Sequence, residues 1–140
     1  MERRAFLKQS CSFCLAAATA SLPGAFSSCA SLPVYEAALQ GRSIRVPQSL
    51  FADSDTRIVR VAGMDFDIGL KKEADGSYAA LLMRCTHASN PLTFTGSRYV
   101  CSLHGSEFDG NGNVRRGPAR IALQRLPLET SGTDVVIIVT

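Results

Sequence analysis

An all-β fold, a sandwich or barrel of short strands preceded by a helical signal segment, is what this chain of 140 residues predicts,. Three observations carry that expectation. Short segments rich in Val, Ile, Leu and Tyr recur at spacings near about ten residues,. Clusters of Gly, Asp, Asn and Ser punctuate them, and past the N-terminal segment no long stretch shows the apolar period of an amphipathic helix,. The length is that of one domain, on a prior of about 100–200 residues per domain.

The chain opens on a targeting segment, residues 1–28, rather than on the fold. Arg3-Arg4-Ala5-Phe6-Leu7-Lys8 is followed by an apolar run over 11–26 and then by small residues. The first six resemble the R-R-x-F-L-K core of a twin-arginine signal, a route that exports folded proteins. A membrane span needs about 20 apolar residues; serines, a threonine and Pro23-Gly24 interrupt this run, so a retained span is the second choice. Ala25-Phe26-Ser27-Ser28-Cys29 resembles a bacterial lipobox, with Cys29 as the lipidated residue and Phe26 where leucine is more usual. Cys11 and Cys14 read as small hydrophobes within the run. Residues 29–42 form a tether and 43–140 the domain. Residues 29–140 carry twelve Lys+Arg and eleven Asp+Glu, a net charge of +1. No basic run or aromatic interleaving marks a nucleic-acid surface.

Within the domain, strands are expected at 43–46, 57–61, 66–70, 77–83, 98–101, 121–128 and 135–139. Turns separate them at Asp53-Ser54-Asp55, Ala62-Gly63-Met64-Asp65, Gly110-Asn111-Gly112-Asn113 and Ser131-Gly132,. At Asp75-Gly76 the pair favours positive φ at both turn centres and marks a tight hairpin. Residues 84–91 and 101–108 are then loops projecting from strand ends.

Those two loops carry the chemistry. Cys85-Thr86-His87 opens one and Cys101-Ser102-Leu103-His104 the other, and the chain's two histidines are both here. Each loop offers one thiolate and one imidazole, the donor set of a [2Fe–2S] centre with two cysteines on one iron and two histidines on the other. A structural zinc also takes two cysteines and two histidines, although zinc modules pair like ligands on one turn. A Cys85–Cys101 disulfide is the third option, and it leaves the histidines without a role.

The pattern C-x-H, spacer, C-x-x-H, followed by Gly105-Ser106, resembles the Rieske family. That resemblance spans about residues 43–140 and is most specific over 84–120. It implies a Rieske-type antiparallel β sandwich or barrel with a small cluster-binding subdomain. The implied [2Fe–2S] cluster is held by Cys85, His87, Cys101 and His104, with Ser106 donating a hydrogen bond to a cluster sulfur. Gly117-Pro118-Ala119 resembles the family's proline loop. Members from cytochrome bc complexes carry two further cysteines that join the loops; here those positions are Asn90 and Leu103. Phe108 stands where those members have a tyrosine, as in many dioxygenase-type ferredoxins.

Two ferric ions, two sulfides, two thiolates and two neutral imidazoles sum to no net charge. Adding an electron to a neutral centre is easier than adding one to the anionic four-thiolate cluster. Rieske potentials accordingly lie at about −150 to +300 mV, against about −400 mV for plant-type ferredoxins. The resemblance implies one-electron transfer rather than substrate chemistry; no nucleophile, general base or nucleotide loop is expected, so the catalytic set is empty. Partners implied are a cytochrome, a quinol-oxidising complex or the larger subunit of an oxidoreductase, with the membrane engaged through the N-terminal anchor at the outer face of the cell envelope. Alternatives are a cytoplasmic ferredoxin feeding an oxygenase, or a zinc- or disulfide-stabilised β binding module. Arg84, Arg98, Arg115, Arg116 and Arg120 flank the loops, as a docking patch for an acidic partner or as ordinary solvated charge.

Overall fold

The computed structural model describes Leu32 and residues 34–139; the expected signal segment and Cys29 lie outside the described residues. In chain order the strands are β1 (Val34–Ala37), β2 (Leu39–Gln40), β3 (Ser43–Pro47), β4 (Thr56–Val61), β5 (Ile68–Lys72) and β6 (Tyr78–Leu82). They continue as β7 (Thr93–Phe94), β8 (Arg98–Val100), β9 (Glu107–Asp109), β10 (Val114–Arg116), β11 (Arg125–Leu126), β12 (Leu128–Ser131) and β13 (Asp134–Ile138). Among the described residues a single 3-10 turn, Gln48–Phe51, follows β3. The all-β expectation is met.

Three sheets result, ordered β1-β4-β5-β6-β11, β12-β13-β3-β2 and β10-β9-β8-β7. All pairings are antiparallel except β1 with β4, which runs parallel from Val34↔Ile58 to Ala37↔Val61. The first sheet lies between two apolar cores, and the two-residue period of a strand assigns its side chains to one or the other. Val59, Val61, Ile68, Leu70 and Ala80 face the core shared with Ile44, Val46, Val135 and Ile137 of the second sheet. Their neighbours Ile58 and Leu81 face the other core, with Tyr99 and Phe108 of the small third sheet and with Cys85 and Cys101. This double coverage buries β4 at every position except Arg60, its polar Thr56 and Arg57 included.

The point of contact between first and third sheets is Gly69 beneath Tyr99. A Cβ at Gly69 would fall 2.9 Å from Tyr99 Cζ, so only glycine admits the ring. The phenol is fully buried and its hydroxyl has no hydrogen-bond partner. Desolvation pushes its pKa up to about 12.

Several boundaries differ from expectation. Residues 34–40, expected as tether, pair into two sheets as β1 and β2. The partner of β1 lies about twenty residues on, and no local pattern announces it. β2 instead pairs with the adjacent β3 through a two-residue turn at Gly41-Arg42, with Gly41 at φ 64°, a local signal that the tether expectation passed over,. The strand expected at 66–70 lies at Ile68–Lys72. The one expected at 121–128 resolves into β11 and β12 either side of Pro127, which has no N–H for a ladder,. At the Asp75-Gly76 turn only Gly76 has positive φ, 84°. The Gly76 N–H donates to Glu73 C=O at 3.0 Å and the Asp75 carboxylate accepts the Ser77 N–H at 2.9 Å. That makes a turn ending in a left-handed glycine rather than a two-residue hairpin.

Candidate metal centre

Two loops built alike project from the small third sheet. In the first, Cys85 N–H donates to Asn90 C=O at 2.8 Å and Ser89 N–H to Cys85 C=O at 2.9 Å. In the second, Cys101 N–H donates to Ser106 C=O at 2.9 Å and Gly105 N–H to Cys101 C=O at 3.0 Å. The residue four after each cysteine is left-handed, Ser89 at φ 50° and Gly105 at φ 75°. A bridge between Arg84 and Pro91 closes the base of the first loop.

This repeated turn sorts the four candidate ligands by depth. Cys85 and Cys101 are free thiols, each about 1% exposed, lodged against Met83, Leu92, Tyr99, Phe108, Ala119 and Leu123. His87 and His104 are exposed. Their ring centroids lie 5.0 Å apart with planes at 79°. The structure thus gathers all four residues, thiols inward and imidazoles outward. Burial acts to raise the Cys101 pKa. The Leu103 and His104 N–H groups, the Cys85 thiol and the Asn90 amide all donate to its sulfur, and the balance holds it below the usual thiol range,.

A third segment, 117–123, is tied to both loops. Ala119 N–H donates to the buried Ser106 Oγ at 3.0 Å, and Thr86 Oγ1 donates to Ile121 C=O at 2.8 Å. A shallow cleft between Thr86, His87, Pro118, Arg120 and Ile121 marks the join. Thr86 and Asn90 are the residues that reading by motif missed as contributors; a hydroxyl beside a ligand and an amide in a cysteine's place were the available signals.

A family model described as the Rieske [2Fe-2S] domain matches residues 45–127, which includes both loops and the segment tied to them. The chain belongs to that family. The Rieske subunit of the mitochondrial cytochrome b-c1 complex of Chlorocebus aethiops is 38% identical over 66 residues, covering 44% of this chain and 23% of that protein. The cytochrome b6-f complex iron-sulfur subunit of Prochlorococcus marinus is 34% identical over 55 residues, covering 38% and 31% respectively. The match thus spans under a third of either relative's length. Among solved structures, a complex of reduced oxygenase and oxidized ferredoxin in carbazole 1,9a-dioxygenase shares the fold. Its TM-score is 0.51 at 20% identity, over 71% of this chain and 94% of that one.

A Rieske domain binds a [2Fe–2S] cluster, and the residues here fit one. Paired thiols and paired imidazoles are the donor set of its two irons. The hydrogen bond from Ala119 uses a lone pair of Ser106 Oγ and leaves its hydroxyl proton free to donate,. Phe108, with no such proton, is fully buried in the same apolar cluster as both cysteines.

The Rieske tip is also positive by composition. The stretches 84–92, 101–106 and 117–124 hold Arg84 and Arg120 and no carboxylate. Of the other flanking arginines, Arg98 and Arg116 meet Glu107 at 2.8 and 3.6 Å, and Arg115 meets Asp109 at 3.4 Å. Leu103 and Ile121 are exposed apolar residues on these stretches, 54% and 67% accessible.

Proposed function

We propose that this domain carries single electrons between protein partners, through a cluster held by Cys85 and Cys101 on one side and His87 and His104 on the other. The observation that carries this reading is the sorting by depth: buried thiols, exposed imidazoles. A bound [2Fe–2S] cluster supplies a one-electron couple there. The chain's own groups do the rest. Apolar packing around Cys85 and Cys101 excludes water from the sulfurs, and N–H donors offset the charge on Cys101,. Exposed imidazoles give a partner a short route to the centre. Arg84 and Arg120, with no acid on the same loops, favour an acidic face on that partner,.

The relatives named as subunits of cytochrome complexes support a respiratory partner. Arg3-Arg4 and Cys29 support export and a lipid anchor, which would set the domain, 43–140 with the β1 and β2 strands before it, at the outer face of the cell envelope. A second reading, a cytoplasmic ferredoxin feeding an oxygenase, is favoured by Phe108 and by the absence of loop cysteines at Asn90 and Leu103. Among the described residues no helix is long and apolar enough to cross a membrane.

The full chain matured in a competent host should contain about two irons and two acid-labile sulfides. His87→Ala or His104→Ala should abolish the cluster or strip the mixed-ligand paramagnetic signal of the reduced protein. Stoichiometric zinc without labile sulfide would overturn the assignment. Fractionation decides the address: Cys29→Ala should release the protein from membranes and Arg3-Arg4→Lys-Lys should block export. Firm membrane retention of Cys29→Ala would mean that residues 11–26 stay as a span.

A further inference from the structure

Asn90 reaches across the two loops. Its backbone C=O accepts the Cys85 N–H, so it closes the first loop, yet its side-chain Nδ2 lies 3.8 Å from Cys101 Sγ in the second. The same nitrogen lies 3.1 Å from Pro91 C=O. Carbonyl oxygen and cysteine sulfur are both acceptors, so the amide's two protons fit this pair and its oxygen does not. That settles which way the amide points. The other nitrogen donors to this sulfur, the Leu103 and His104 N–H groups, come from its own loop, and the Cys85 thiol meets it from the first; Asn90 supplies the nitrogen donor from that opposite loop.

We propose that Asn90 is a positioning residue of the centre: its side-chain amide donates to the Cys101 sulfur, holds the two loops in register and favours the reduced state. This rests on Cys101 being a cluster ligand. A ligand sulfur gains negative charge when the centre is reduced, and an N–H pointed at it stabilises the more negative state more. The amide is half-buried, which limits competition from water,. It also stands where bc-type members place one cysteine of a loop-to-loop disulfide, so a polar contact takes the place of a covalent one. A hydrogen bond constrains the loops less than a disulfide but brings a proton to the sulfur, which a disulfide does not.

The test uses the full chain in its cluster-bound form. Asn90→Leu keeps similar volume and removes the donor; Asn90→Ala removes both. Iron and sulfide content with the mixed-ligand paramagnetic signal of the wild type first establishes that Cys101 belongs to a Rieske centre; their absence would sink that assignment rather than the role of Asn90. With the centre present, both variants should show a lower midpoint potential, about a tenfold weaker reduction equilibrium or 59 mV for one electron. A purely steric role would leave Asn90→Leu at the wild-type potential, and that result would overturn the proposal. If the variants fail to assemble the cluster, the wild type decides alone. The chain has three asparagines, and Asn111 and Asn113 sit in the β9–β10 turn. Side-chain ¹⁵N-amide labelling of asparagine should therefore give a nitrogen coupling in pulsed paramagnetic resonance of the reduced protein. No coupling would overturn the contact.

Discussion

Ser89 and Gly105 hold the same station in two copies of one turn. Each lies four residues after a buried cysteine, donates its N–H to that cysteine's carbonyl and has positive φ, 50° and 75°. The two sites should respond differently to substitution. A Cβ at Gly105 meets no atom within 4 Å, so Gly105→Ala costs only the left-handed conformation, about 1–2 kcal/mol,. Ser89→Gly removes that strain but loosens the unfolded chain, and should be neutral within about 0.5 kcal/mol. Denaturant titration of both variants, with iron content as a second readout, checks the asymmetry.

Tyr99 over Gly69 is the packing joint between the base and the cluster-bearing sheet. Its orphan hydroxyl carries a desolvation cost, so Tyr99→Phe should stabilise the domain by about 1 kcal/mol,. Gly69→Ala should destabilise by about 1–3 kcal/mol through overpacking, and much less in a Tyr99→Leu background, which a double-mutant cycle measures. There is also a pH signature. The phenol's pKa is raised in the fold, so the unfolded chain loses the proton first. Stability from this group is complete below about pH 10 and declines as pH rises through about 12,. Tyr99→Phe should lack that alkaline decline.

Asp109 closes the β9–β10 turn by accepting the Asn111 and Asn113 N–H groups, both at 2.9 Å. Burial acts to raise its pKa, but those donors and Arg115 outweigh burial and hold the carboxyl below its usual range. A depressed folded pKa means stability present above the unfolded value and lost as pH falls through the folded one. Asp109→Ala should therefore cost about 1–2 kcal/mol at neutral pH, and the gap to wild type should narrow in acid. Thermal melts across that range read it directly.

In the proposed centre, Ser106 and Phe108 are the positions expected to set the remaining hydrogen-bond supply. Ser106→Ala should lower the midpoint potential and also leave the Ala119 N–H without its acceptor, costing about 1–3 kcal/mol,. Phe108→Tyr should raise the potential, provided the added hydroxyl meets the Cys101 sulfur. Protein-film voltammetry of the two variants measures opposite displacements; an unmoved Phe108→Tyr would mean the ring edge faces elsewhere.

The four candidate ligands were legible in the sequence because each loop closes on itself. The backbone bonds that close each loop span only four and five residues, so the spacing of the motif carries them. Strands such as β3 and β13 were legible for a similar reason, as Ile44 and Val46 or Val135 and Ile137 carry their own period. Asn90 was legible only as a missing cysteine. That its amide meets Cys101 depends on how two separate loops face each other, which neither loop specifies. The same holds for Gly69, an unremarked strand glycine until Tyr99 of another sheet lies on it, and for β1, whose parallel partner β4 lies about twenty residues on,. Local hydrogen bonding and period-two burial are written into neighbouring residues. Contacts between sheets and loops arise only from packing, and there the tertiary structure decided.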